Sequence, residues 1–239
     1  MRQNIYDDPR FFDGYRRMRE GSSTMNELVE QPALRACLPA LEGLDVLELG
    51  CGMGHMSVYL AERGAARVLA TDASERMLRV ARRDRAHERV EYSRCAMEDL
   101  EFDDGNFDLV VGSLCVHYVE DYPALVRKVA RWLKPGGRFV YSVEHPMATA
   151  PKDPERDWVE DGEGNKLFWP VYGYGDEGPG SRPGTSKASS STTARFPPSS
   201  TASRRRDLRS SAWRSRRRWS LQANDRCSRG IATGLRSSS

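Results

Sequence analysis

No run of apolar residues approaches eighteen, which argues against a transmembrane helix. The opening MRQNIYDDPRFFDGYRRMRE is polar, acidic and aromatic, with no apolar stretch to read as a signal peptide. Cysteine is sparse: Cys37, Cys51, Cys95, Cys115 and Cys227 are an odd number, scattered, with no C-x-x-C pair. That spacing offers neither a metal site nor a disulfide framework, so reduced thiols in a cytoplasmic protein are expected. What is present is enough for one ordinary domain, or one domain with an appendage: 239 residues, 38% of them hydrophobic.

The net charge of +3 hides a division. Residues 178–239 hold 13 Arg, one Lys and two Asp, a net of 14 − 2 = +12, which leaves −9 for residues 1–177. Two stretches of opposite character meet near Gly178.

From Asp45 to about His145, short apolar runs alternate with helical patterns. Strands are expected at 46–49, 67–71, 90–93, 107–113 and 137–143. Helices are expected at 55–63, stopped by Gly64, from a Ser74 N-cap to about His87, and at 122–133, closed by Lys134-Pro135-Gly136-Gly137. This alternation predicts an α/β, doubly wound, mostly parallel sheet, with ligands held outside the carboxyl ends of its strands. Upstream, 9–20 and 24–41 read as two helices, forming an N-terminal helical cap over residues 1–41. The Pro/Gly/aromatic segment 144–177 reads as an active-site loop.

Glu48-Leu49-Gly50-Cys51-Gly52-Met53-Gly54 joins a strand to a helix through three alternating glycines. Such a loop lets a ligand approach backbone N–H groups closely. A dinucleotide fingerprint would need glycine at position 55, where His55 stands, so a nicotinamide-dependent oxidoreductase is disfavoured. Asp72, at the end of the second strand, can accept hydrogen bonds from both hydroxyls of a ribose; alternatively it caps the following helix.

VLELGCGMGHMSVYLAERGAARVLATDAS resembles the first two motifs of class I S-adenosylmethionine-dependent methyltransferases. DGNFDLVVGSLCVHYVEDYPALVRKVARWLKPGGRFVYSVEH resembles the fourth and fifth strands of the same family with their intervening helix. The resemblance covers roughly residues 10–177 and is nearest to the small-molecule enzymes of the ubiquinone- and biotin-pathway type. It implies S-adenosylmethionine as cofactor and a small-molecule methyl acceptor. Gly50, Gly52 and Gly54 then lie against the methionine part, with Glu48 organising the loop or the amino group, and Asp72 holds the ribose. Met97 and Glu98 hold the adenine, although Ala96 stands where many relatives carry aspartate. Ser113 follows the fourth strand beside the methyl group, and Arg19, in a segment with Tyr15, Asn26 and Glu27, is a partner for the methionine carboxylate. His117 is a candidate base, or else a histidine packed beside the cofactor. Glu144 and His145 end the fifth strand, where they approach the site or shape a turn.

Residues 178–239 contain 16 Ser and 13 Arg and lose apolar periodicity, so a disordered tail is expected. Taken as native, it could bind RNA by counterion release, with Trp213 and Trp219 for stacking, in a non-catalytic alternative to the enzyme reading. A second origin follows from codon arithmetic. Lys187–Pro197 can be written in synonymous codons that, read from the third base of the first, give GVVKYHRTVS. A one-base frameshift near residue 180 would then have replaced the sixth and seventh strands that the family resemblance implies, and no sixth or seventh strand is expected after residue 180.

Overall fold

The computed structural model describes residues 5–20, 24–145, 158–170, 178–181 and 190–193. Five parallel strands form its main sheet: β1 (Asp45–Leu49), β2 (Arg67–Asp72), β3 (Val90–Arg94), β4 (Phe107–Gly112) and β5 (Leu133–Tyr141). Their order is β3-β2-β1-β4-β5, so the winding reverses between β1 and β4. A crevice at the carboxyl ends of those two strands is the geometric result.

Because side chains alternate across a strand, β1 feeds two cores. Leu47 and Leu49 face a cluster with Leu69, Val110, Phe107 and Trp132. Val46 faces a second cluster with Val68, Leu109, Val111, Leu60 and Leu78. Helices α3 (His55–Glu62) and α4 (Glu75–Asp84) supply the second cluster, and α5 (Tyr122–Trp132) covers the first. Phe102 meets Phe107 and Trp132 edge-on, at centroid distances of 5.0 and 5.1 Å.

Local chemistry sets the helix starts. Ser74 Oγ accepts from the Met77 N–H at 3.2 Å, and Asp121 Oδ1 accepts from the Ala124 N–H at 2.8 Å. Helix α4 stops at Asp84, short of the expected His87, because Arg85 leaves the helical region at φ −138°. The expected single helix over 24–41 is instead a π-helical turn, Asn26–Glu30, running into α2 (Gln31–Ala36). Pro32, in the first turn of α2, has no N–H to continue the hydrogen-bond ladder. At the sheet's opposite end, Lys134 Nζ donates to Asp108 at 2.7 Å and to Asp45 at 3.0 Å. β5 begins at Leu133, earlier than expected, with a register shift between Phe107 and Leu109 on its partner β4.

The N-terminal cap is α1 (Pro9–Glu20) with the elements around α2. It is tied down by Asp7, whose Oδ1 accepts from Ser74 Oγ at 2.7 Å and whose carbonyl accepts from Arg76 Nε at 2.9 Å.

Within 144–177, the described residues 158–170 form a hairpin, β6 (Val159–Glu160) and β7 (Lys166–Phe168), turned by Asp161. Beyond residue 177, β8 (Gly178–Ser181) and β9 (Ser190–Thr193) pair antiparallel with each other. Among the described residues, no sixth or seventh strand joins the main sheet. Neither pairs with β5, so the main sheet keeps five strands. The rest of the expected disordered tail lies outside the described residues. Among the described residues, Cys37, Cys51 and Cys115 are free thiols.

Candidate active site

A cavity of about 990 Å³ opens along the carboxyl ends of β3, β2, β1 and β4 and is roofed by the N-terminal cap. Its floor is the glycine loop. A Cβ on Gly50, whose φ is +61°, would lie 2.5 Å from Cys115 Cβ, so no other residue fits between the loop and the β4 end. Gly52, at φ +54°, would meet nothing within 4 Å: its Cα borders open space in the cavity. A larger residue there would occupy the ligand's place and strain the backbone. Gly54, also at positive φ, begins α3 beneath the Tyr92 hydroxyl and does not line the cavity.

Asp72 closes the loop from the side. Its Oδ2 accepts from the Gly52 N–H and its Oδ1 from the Ser74 N–H, both at 2.8 Å. A carboxylate offers about four acceptor positions, so two remain for a ligand. Burial raises its pKa to about 6, against the opposing pull of the Ser74 and Gly52 hydrogen bonds. Glu48 is 2% exposed, and its Oε2 accepts from Ser57 Oγ at 2.5 Å. Burial raises its pKa to about 7, partly offset by the Ser57 hydrogen bond.

Met97 and Glu98 line the far side, in a 3-10 turn (Met97–Asp99) held by Lys128 Nζ donating to the Glu98 carbonyl at 2.9 Å. Ser113 lines the β4 side. Arg19 enters from α1 with its side chain 8% exposed; Nη2 pairs with Glu27 Oε1 at 3.3 Å, while Nη1 is buried with no hydrogen-bond partner. Thus Arg19, Glu48, Gly50, Gly52, Asp72, Met97, Glu98 and Ser113 share one cavity, as do Tyr15 and Asn26 of the cap.

His117 does not line it. Its ring is buried in the 3-10 turn Val116–Tyr118, 4.3 Å from the Tyr118 ring centre. Glu144, His145 and the described residues 158–170 contribute nothing to the lining either.

The sequence reading missed three groups. Tyr6 and Tyr118 line the cavity with hydroxyls 3.2 Å apart, and the Tyr6 ring also meets Tyr15 edge-on. Burial pushes the Tyr6 and Tyr15 hydroxyls above their ordinary pKa, so they stay protonated. The third group joins cap to sheet. Glu30 Oε1 accepts from Ser113 Oγ at 2.9 Å and from Ser142 Oγ at 2.5 Å, while Gln31 Nε2 donates to Glu30 Oε2 at 2.8 Å and to Ser113 Oγ at 3.0 Å. The aromatic richness of 5–20 was a visible signal for Tyr6. Nothing local signalled Glu30 or Gln31.

Fold and site together define a doubly wound, Rossmann-like domain whose cavity carries a glycine loop and a buried carboxylate at adjacent strand ends. Comparison with known proteins places it further. Residues 46–137 match the family model "Methyltransferase domain". A crystal structure of an S-adenosylmethionine dependent methyltransferase from Mesorhizobium loti is 44% identical, with a TM-score of 0.57, over 63% of this chain and 67% of that one. An uncharacterised protein of Haemophilus influenzae is 35% identical over 182 residues, 73% of this chain and 71% of its own length. A ubiquinone biosynthesis O-methyltransferase from Alkalilimnicola ehrlichii is 37% identical over 109 residues, 44% of each chain. The chain belongs to the S-adenosylmethionine-dependent methyltransferase family.

The residues present fit that cofactor. The open space over Gly52, the two spare acceptor positions of Asp72 and the unpartnered Arg19 Nη1 all border one cavity.

Proposed function

We propose that this chain methylates a small-molecule acceptor and holds S-adenosylmethionine across the carboxyl ends of β3, β2 and β1. The observation that carries this reading is the order of groups along the cavity: Met97 and Glu98, then Asp72, then Gly50 and Gly52, then Ser113. That order matches adenine, ribose, amino-acid chain and methyl group. Met97 packs on the adenine and Glu98 accepts from its exocyclic amine. Asp72, ionised at neutral pH, accepts from the ribose hydroxyls. Gly50 and Gly52 let the amino-acid chain lie on the loop backbone, and Arg19 Nη1 donates to its carboxylate.

When bound, S-adenosylmethionine supplies an activated methyl group on its sulfonium. The protein's work is then to bind, align and exclude water. Tyr6, Tyr15 and Tyr118 suit the last task, since their rings wall the cavity, and the Tyr6 and Tyr15 hydroxyls stay protonated and offer no competing nucleophile. The volume is at the upper end of small-ligand sites, with room for an acceptor beside the cofactor. The ubiquinone-type relative supports a small-molecule acceptor. The RNA alternative rests on tail residues outside those described.

The test is calorimetric titration with S-adenosylhomocysteine. Saturable 1:1 binding is expected, lost on Asp72→Ala. A wild-type chain that bound no S-adenosylhomocysteine would overturn the assignment of these residues.

A further inference from the structure

Two polar atoms at the cavity are buried without a partner, and they are of opposite kind. Arg19 Nη1 is a donor; Gln31 Oε1 is an acceptor on a side chain whose residue is only 4% exposed. The orientation of the Gln31 amide follows from its neighbours. Nε2 faces the Glu30 carboxylate at 2.8 Å, where an oxygen would be repelled, and its other direction faces Ser113 Oγ at 3.0 Å. Both amide hydrogens are therefore spent, and the carbonyl oxygen of this cavity-lining residue is left without a partner. A buried acceptor of this kind costs free energy unless something donates to it.

The chemistry of the donor follows from Glu30. Its negative charge lies behind the amide and polarises it, pulling on the N–H groups and enriching the carbonyl oxygen. Glu30 is itself fixed by Ser113 and by Ser142 at the end of β5, so the pair is held against two strands. An oxygen so backed favours a cationic N–H over a neutral one. Set beside the unpartnered Arg19 donor, it completes a complement to a zwitterion, with guanidinium for carboxylate and amide oxygen for ammonium.

We propose that Gln31 recognises the ammonium of the cofactor's amino-acid end, with Glu30 as the positioning residue that orients and polarises it. This rests on the cofactor reading above. It places part of cofactor recognition on the N-terminal cap, so that docking the cap and gripping the amino-acid end are one event.

The test compares S-adenosylhomocysteine, its decarboxylated analogue S-adenosyl-3-thiopropylamine, and 5′-methylthioadenosine, which lacks both amine and carboxylate. Gln31→Met keeps the bulk and removes the acceptor. It should weaken the two amine-bearing ligands about tenfold or more and leave 5′-methylthioadenosine within about twofold, the last also showing that the variant is folded. Glu30→Gln should weaken the same two ligands by a smaller factor. Equal weakening of all three ligands, or no weakening of the amine-bearing pair, would overturn the inference while leaving the cofactor reading intact. Wild-type protein that bound none of the three would overturn both.

Discussion

The carboxylate of Asp72 accepts the backbone N–H of Gly52 at 2.8 Å, so the end of β2 and the middle of the glycine loop form one rigid unit. On the proposed function, one side chain would thereby set the loop under the cofactor's amino-acid part and present oxygens to the ribose.

Asp72→Ala should reduce S-adenosylhomocysteine affinity by a hundredfold or more. Two hydrogen bonds to a charged group are lost, each about 1.5–3 kcal/mol. Its ionisation adds a pH signature. With a pKa of about 6 in the free protein, Asp72 takes up a proton as pH falls through that value. Affinity should therefore rise with pH between about 5 and 7 in the wild type, and Asp72→Asn should flatten the rise. A pH-independent wild-type affinity would refute the role.

Glu48 makes the opposite kind of statement, about stability. Its pKa stands at about 7 in the folded chain against 4.5 ordinarily, mainly through burial. Between those values the folded state holds a proton that the unfolded state has released, so stability falls as pH rises through this window. Glu48→Gln keeps an oxygen for the Ser57 hydroxyl and removes the buried charge. It should raise the melting temperature relative to wild type at pH 8 and much less at pH 5, with a difference on the order of 2–3 kcal/mol. Equal effects at both pH values would show that Glu48 is not a buried acid of raised pKa.

His117 was a candidate base because it follows the fourth strand. The structure sets it under Tyr118 instead of at the cavity wall. His117→Ala should therefore cost stability, about 1–3 kcal/mol for truncating a buried ring, and change S-adenosylhomocysteine affinity by less than about twofold. Unchanged melting with a tenfold loss of affinity would return the ring to the site.

The parts of this molecule legible in the sequence are those whose signal is local. Val46, Leu47 and Leu49 are apolar because both faces of β1 are covered, and the three glycines that follow are required by their backbone angles. β1, β2 and β4 were accordingly expected within a residue or two. Glu30 and Gln31 stand 83 and 82 residues from Ser113, and only the folded sheet brings its β4 end to them. In the sequence they are two polar residues before a proline, indistinguishable from a solvated helix start. Likewise, nothing in VHY indicates that His117 turns inward to Tyr118 while Tyr118 faces the cavity.

The edge of the sheet bears on the origin of the basic tail. Among the described residues, β5 pairs only with β4. Val110 and Val111 on β4 are fully buried, while their partners Phe139 and Val140 on β5 are only half-buried. An apolar strand left at an edge invites pairing, and natural sheets cover or charge such edges. We propose that the covering strands are encoded in the displaced frame. The nucleotide sequence should then read on without stop codons from the third base of the Lys187 codon and give alternating apolar residues after GVVKYHRTVS. A chain restored to that frame should melt at least about 5 °C higher, the shift that roughly 2 kcal/mol produces at this size. Early stop codons in that frame would make the Ser/Arg tail native, and leave the half-buried edge of β5 to be covered by something other than its own sheet.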